Sequence, residues 1–164
     1  MKLRPFMADD SDVIKQWDND ERVHNLWCAG RMDYPLEREN FQSFLADIAK
    51  RHGNTPFTAT TDSGEVIGFF CYSLNTLTNE GMLKFVIIDP EHRGMGYGRE
   101  MLKLAVKYAF EITKAEAVHL NVFTVNAGAK KCYESVGFTE RETVPDAFTY
   151  KDEAWGRCNM ILRR

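Results

Sequence analysis

The chain has 164 residues, 44% hydrophobic and 12% aromatic, enough for one two- or three-layer core and too short for two ordinary domains or a repeat array. Its 21 basic and 24 acidic side chains leave a net charge of −3, so no global field draws it to nucleic acid or an anionic membrane surface. Cys28, Cys71, Cys132 and Cys158 lie far apart with no CxxC pair, which argues against a structural zinc site and a disulfide framework and leaves reduced thiols.

Met1-Lys2-Leu3-Arg4-Pro5 lacks the apolar stretch of a secretion signal, and the longest nearly apolar run is about eight residues, too short to span a bilayer. The expectation is a soluble, cytoplasmic protein with one domain over residues 1–164. Residues 3–6 read as a short strand, and Asp9, Asp10 and Ser11 offer capping oxygens for a helix of about two turns bearing Val13, Ile14 and Trp17. Residues 19–34 are polar with Val23, Leu26 and Trp27 interspersed, and read as a short helix plus loop. After Pro35, the residues Phe41, Phe44, Leu45 and Ile48 fall on one helical stripe that Gly53 ends.

Residues 57–61 and 65–74 read as strands joined by the turn Asp62-Ser63-Gly64. Residues 82–88 are too apolar at their end for an exposed strand and stop at Asp89-Pro90, as a central strand would. Beyond three glycines, Leu102, Ala105, Val106 and Ala109 repeat the helical stripe. Residues 118–125 read as a strand, 127–136 as a short helix closed by Gly137, and 138–144 and 155–162 as closing strands. This order predicts an α/β sandwich with a mixed sheet of about seven strands.

The segment Asp89-Pro90-Glu91-His92-Arg93-Gly94-Met95-Gly96-Tyr97-Gly98-Arg99 joins a buried strand directly to a helix. Free N–H groups at the helix start then face the strand's end, a geometry that attracts anions. Glycines admit close approach of a phosphate and positive φ, while Arg93 and Arg99 add charge-assisted bonds. A phosphate or pyrophosphate is the natural guest. A dinucleotide fingerprint needs Gly-x-Gly-x-x-Gly, but Arg99 stands three residues after Gly96; a Walker loop needs Gly-Lys-Ser/Thr, but Arg99-Glu100 follows Gly98. The competing plain reading is a turn that only packs helix against strand.

Arg93-x-x-Gly96-x-Gly98 after that strand, and Asn126-x-x-Ala129-x-x-x-Tyr133 followed by Val136-Gly137-Phe138, occur in the order expected of two GNAT signatures. Over roughly residues 57 to 144 the chain resembles this superfamily of N-acetyltransferases. The start, Leu3-Arg4-Pro5-Phe6 with Asp9-Asp10, more loosely resembles the branch that acetylates ribosomal-protein N-termini. The resemblance implies a mixed, mostly antiparallel sheet with helices on both faces, whose fourth and fifth strands splay like a V around the pantetheine arm of acetyl-CoA. It implies that Val86, Ile87 and Ile88 offer backbone groups to that arm. Arg93, Gly94, Met95, Gly96, Tyr97, Gly98 and Arg99 would hold the pyrophosphate, and Asn126, Ala129 and Tyr133 would lie near the thioester.

Asn126 and Tyr133 are seven residues apart, about 700° around a helix, so they share a face with Ala129 between them. A departing coenzyme A thiolate needs a proton or hydrogen bond, and a phenol supplies either. Tyr133 is therefore the candidate general acid, against the plain reading of a tyrosine capping the core. Cys132, about 100° around the helix, reads as a small hydrophobe rather than an acylated nucleophile. Some ribosomal-protein acetyltransferases carry a glutamate base five residues before the motif asparagine, where this chain has Asn121, which has no basic group to offer. Glu80 is the remaining carboxylate by place in the family pattern and the candidate base, against the plain reading of a solvated loop residue. His119 has a suitable ordinary pKa but an isolated strand histidine is more often packed; His24 and His52 are no better placed.

Trp17, Trp27 and Tyr34, with residues 146–152 between the last strands, are candidates to border an acceptor cleft, though the tryptophans also suit a core. Asp18, Asp20, Glu21 and Asp33 make the early region acidic, which suits a cationic amine or a peptide N-terminus. The expected activity is acetyl transfer from acetyl-CoA to a primary amine, on a small molecule or protein N-terminus, by direct attack in a ternary complex. No metal, nucleic acid or membrane is expected, and a homodimer is allowed. The alternative is an acyl-CoA sensor or interaction module without turnover.

Overall fold

In the computed structural model, which describes residues 1–164, seven strands make a single sheet. They are β1 (Lys2–Pro5), β2 (Thr55–Thr60), β3 (Val66–Asn75), β4 (Glu80–Ile88), β5 (Ala117–Phe123), β6 (Thr139–Tyr150) and β7 (Glu153–Arg163), in the order β1-β2-β3-β4-β5-β7-β6. Neighbours are antiparallel except β4 and β5. A parallel pair needs a crossover, supplied by helix α4 (Tyr97–Lys107). The other helices are α1 (Asp10–Ile14), α2 (Glu21–Cys28), α3 (Arg38–His52) and α5 (Ala127–Val136).

Side chains alternate between the two faces of a strand, so each face collects its own apolar layer. On one, Met101, Leu102, Ala105 and Tyr133 from α4 and α5 pack on Phe70, Leu83, Val118 and Leu120. On the other, Ile14, Cys28, Phe41, Leu45 and Ile48 from α1, α2 and α3 pack on Phe69, Cys71, Phe85 and Ile87. The mixed, mostly antiparallel sheet with helices on both faces is the architecture expected from the sequence. Phe69 is fully buried, with its ring 5.3 Å from Phe41 and 5.8 Å from Phe6. Phe69→Ala should cost about 3–5 kcal/mol of stability, read as a lower denaturant midpoint at unchanged slope.

Two local expectations need correction. Asp9 makes no side-chain cap, and α1 is five residues followed by a 3-10 turn at Lys15–Trp17. Asp10 instead turns inward, taking both Arg4 guanidinium nitrogens at 2.7 Å, the Met7 N–H at 2.8 Å and the Thr58 hydroxyl at 2.7 Å. Asp10 thus fastens the start of α1 to β1 through Arg4 and to β2 through Thr58, which explains the Arg4 and Asp10 positions without reference to any substrate. The second correction concerns residues 146–152, of which only Lys151 and Asp152 form a turn between the last strands. β6 runs to Tyr150, its register breaking between Glu140 and Glu142 and between Val144 and Phe148. An edge strand tolerates Pro145 at such an irregularity.

All four cysteines are free. No helix is long and apolar enough to cross a membrane.

Candidate active site

β4 and β5 pair from Glu80 with Ala117 to Leu83 with Leu120 and no further. On its other side β4 bulges: Lys84 faces Cys71 and Ile87 faces Phe69, so Phe85 and Val86 together stand opposite Phe70. Phe85 takes a left-handed φ of 52°, a conformation costing a non-glycine residue about 1–2 kcal/mol. Its ring lies edge-on to Phe44 at 5.3 Å, with the Arg31 guanidinium 5.6 Å above it. A bulge bends and twists its strand, and this one carries β4 away from β5. The gap opens into a cavity of about 620 Å³, the size of a small-molecule site.

At the cavity mouth, Gly94 and Gly96 have φ of 78° and 88°, and Gly96 begins α4 with no side-chain cap. A Cβ on either would meet nothing within 4 Å. The first N–H groups of α4 have no partner within the helix and lie at its positive end, and the space beside both glycines is open. Arg93 Nε donates to the Ile88 carbonyl at 3.1 Å, tying the loop to the strand's end. Gly98 serves a different purpose: its Cβ would lie 3.4 Å from Cys132 Sγ, so the glycine lets α4 approach α5.

Val86, Ile87, Ile88, Arg93, Gly94, Gly96, Gly98 and Arg99 all line the cavity. Met95 and Tyr97 do not: Met95 is 67% exposed, and Tyr97 packs on His92 at 5.6 Å.

Asn126, Ala129, Cys132 and Tyr133 bring α5 to the same cavity. Asn126 is the helix N-cap, its Oδ1 accepting the Ala129 N–H at 3.2 Å. That oxygen is engaged, so Asn126 offers a ligand its amide N–H donors. Tyr133 is 7% exposed, and burial pushes its phenol well above the ordinary pKa, so it is protonated at neutral pH. Burial also raises the Cys132 thiol despite the opposing charge of Arg99, which disfavours a thiolate nucleophile.

Glu80 is not brought to the site. It lies at the closed end of the V, where β4 is still paired, and outside the cavity lining. Arg141 holds its carboxylate at 2.9 and 3.0 Å and keeps it below the usual carboxylate range. No Asp, Glu or His lines the cavity. His119 accepts from Asn159 Nδ2 at 3.2 Å, and burial, assisted by Arg141, pushes its pKa down. Asn121 does line the cavity, its Oδ1 accepting from Asn159 at 2.8 Å. Leu83, Lys84, Leu102, Leu120 and Val122 are lining residues that sequence reasoning did not single out.

Helix α2 forms the remaining wall through Val23, Leu26 and Trp27. Trp17 belongs to the core at 4% exposure, whereas Tyr34 is 41% exposed, its ring tilted against that of His24 at 5.3 Å. His24 is buried, with Nδ1 2.6 Å from Asp18, Nε2 2.8 Å from the Met32 carbonyl and 3.2 Å from Cys28 Sγ. Burial alone would lower its pKa, but the bonds to Asp18, Cys28 and Met32 raise it to about 10. Because the folded value exceeds the unfolded one, this stabilisation is complete below pH about 6.5 and is lost as pH rises through about 10. The thermal midpoint should fall across that window, and His24→Gln should flatten the slope.

The description of the Acetyltransferase (GNAT) family matches residues 13–138. A spermidine N(1)-acetyltransferase of Vibrio cholerae is 35% identical over 154 residues, covering 90% of this chain and 84% of that protein. An N-alpha-acetyltransferase of Sulfurisphaera tokodaii is 25% identical over 122 residues, covering 68% and 72%. The crystal structure of spermidine N-acetyltransferase from Vibrio cholerae in complex with CoA and spermine superposes with a TM-score of 0.84 at 21% identity, covering 99% of this chain and 94% of that one. The stronger curated likeness is thus to an enzyme named for spermidine rather than for ribosomal-protein N-termini, and Arg4 and Asp10, which carried the latter resemblance, form a structural ion pair.

Proposed function

Since this chain belongs to the acetyltransferase (GNAT) family and is thereby an acetyl-CoA-dependent N-acetyltransferase, we propose that an amine attacks the thioester directly, in a ternary complex, with Tyr133 as proton donor. Residues 1–164 act as one such domain. Coenzyme A suits the residues present: open N–H groups on a glycine loop, Arg93 and Arg99 beside them, and a cavity running from that loop to Tyr133. When bound, acetyl-CoA supplies the activated carbonyl and a thiol leaving group. The α4 N–H groups and the two arginines grip the phosphates, and Asn126 donates to the arm.

The amine nitrogen forms a bond to the acetyl carbon as the carbon–sulfur bond breaks. Tyr133 gives its hydroxyl proton to the departing sulfur and regains one from solvent, into which the attacking amine releases its own, no side-chain base facing the cavity. The observation that carries this reading is one cavity joining the phosphate loop to a protonated, buried phenol. A small-molecule amine is favoured over a protein N-terminus, and the relatives' names put polyamines first among candidates for testing. The test is thiol release from acetyl-CoA across a panel of amines. Tight binding of acetyl-CoA with no thiol release in the presence of any acceptor, protein N-termini included, would favour the alternative of an acyl-CoA sensor.

A further inference from the structure

The acceptor half of the cavity is cationic. Three charged side chains line the whole cavity, Lys84, Arg93 and Arg99, and none is a carboxylate. Arg93 and Arg99 belong to the phosphate loop and the start of α4, which leaves Lys84 to meet the acceptor. It stands where the strands part, one residue past the last pair, Leu83 with Leu120, and is partly buried.

Its charged neighbour is Arg31, of like sign, while burial of Cys71 pushes that thiol up to about 12 and keeps it neutral. A half-buried ammonium beside a guanidinium, with no carboxylate to offset it, is a costly arrangement that an anion from outside would relieve. Asp18, Glu21, Glu153 and Glu80 each already have a basic partner: His24 at 2.6 Å, Lys151 at 2.9 Å, Arg22 at 3.0 Å and Arg141 at 2.9 Å, respectively.

We infer that Lys84 determines acceptor specificity, selecting a primary amine that also bears an anionic group, a carboxylate or phosphate, and disfavouring polycations. The inference rests on the transferase reading above and departs from the polyamine choice in the relatives' names. A polyamine would bring several ammonium groups to a wall that presents a lysine and no carboxylate, a repulsive element against that class.

The test is the initial rate of thiol release by the full chain with acetyl-CoA and four acceptor sets: linear primary amines, ω-aminoalkanoates and aminoalkyl phosphates of matched lengths, and spermidine. The expected result is kcat/KM at least about tenfold higher for one anionic set than for its neutral match, and which set wins identifies the group. Lys84→Gln should erase that ratio, Lys84→Arg should retain it, and Lys84→Glu should shift the preference toward spermidine. Thermal stabilisation by coenzyme A verifies that each variant folds. A wild type that prefers spermidine or the neutral amines, or a preference that survives Lys84→Gln, would overturn the inference. Bound coenzyme with no thiol release from any set would instead overturn the transferase reading.

Discussion

Tyr133→Phe should lower kcat by roughly 100- to 1000-fold while changing acetyl-CoA affinity by less than about threefold. The substitution removes one hydroxyl and keeps the ring, which belongs to the apolar layer beneath α4 and α5. The expected asymmetry follows from the proposed role of the hydroxyl: a proton needed only as the carbon–sulfur bond breaks, whose loss would raise the barrier more than it weakens binding. Because burial holds the phenol above its ordinary pKa, it stays a donor through the mildly alkaline range, and loss of its proton should not limit the rate there. Single-turnover rates beside calorimetric affinities make the comparison, and equal losses in both would reduce Tyr133 to a ground-state contact.

Gly96→Val should abolish the stabilisation that acetyl-CoA confers, about 2.7 kcal/mol at a hundred times its dissociation constant. Gly96 holds a φ of 88° at the start of α4, and the space where its Cβ would project is open. A valine there strains the backbone and puts a branched side chain where a diphosphate must approach the helix N–H groups. The strain also weakens the unliganded protein, so the informative quantity is the difference between liganded and unliganded midpoints of the same variant. An undiminished difference would show that the diphosphate lies elsewhere.

The parts of this protein legible in its sequence are those written in neighbouring residues. The glycine loop, the span of α5 and its close at Gly137 each depend on a few consecutive positions, and they stand where the pattern put them. The aperture is different. It depends on the register between β4 and β5, which are far apart in the chain, and on a bulge at Phe85, where a left-handed phenylalanine follows no local pattern.

Lys84 consequently looked like any strand lysine until the missing partner on its β5 side became visible. Glu80 misled for a related reason. Its grip by Arg141, 61 positions away, leaves no trace in the residues around it. The strand read over 138–144 stopped short of its true end because the irregularity that lets it continue past Pro145 involves the facing strand β7.

Phe85 and Ile87 rest against α1, α2 and α3, whereas Leu83, two places earlier, rests against α4 and α5. The kink is thus where one ribbon changes allegiance between two packed layers, and the rim of the reaction chamber is held from both sides at once. Loosening the Phe44 support would free the ribbon to straighten and zip onto its parallel neighbour. A more regular sheet would be the better ladder and the worse enzyme, for it would have nowhere to admit a guest.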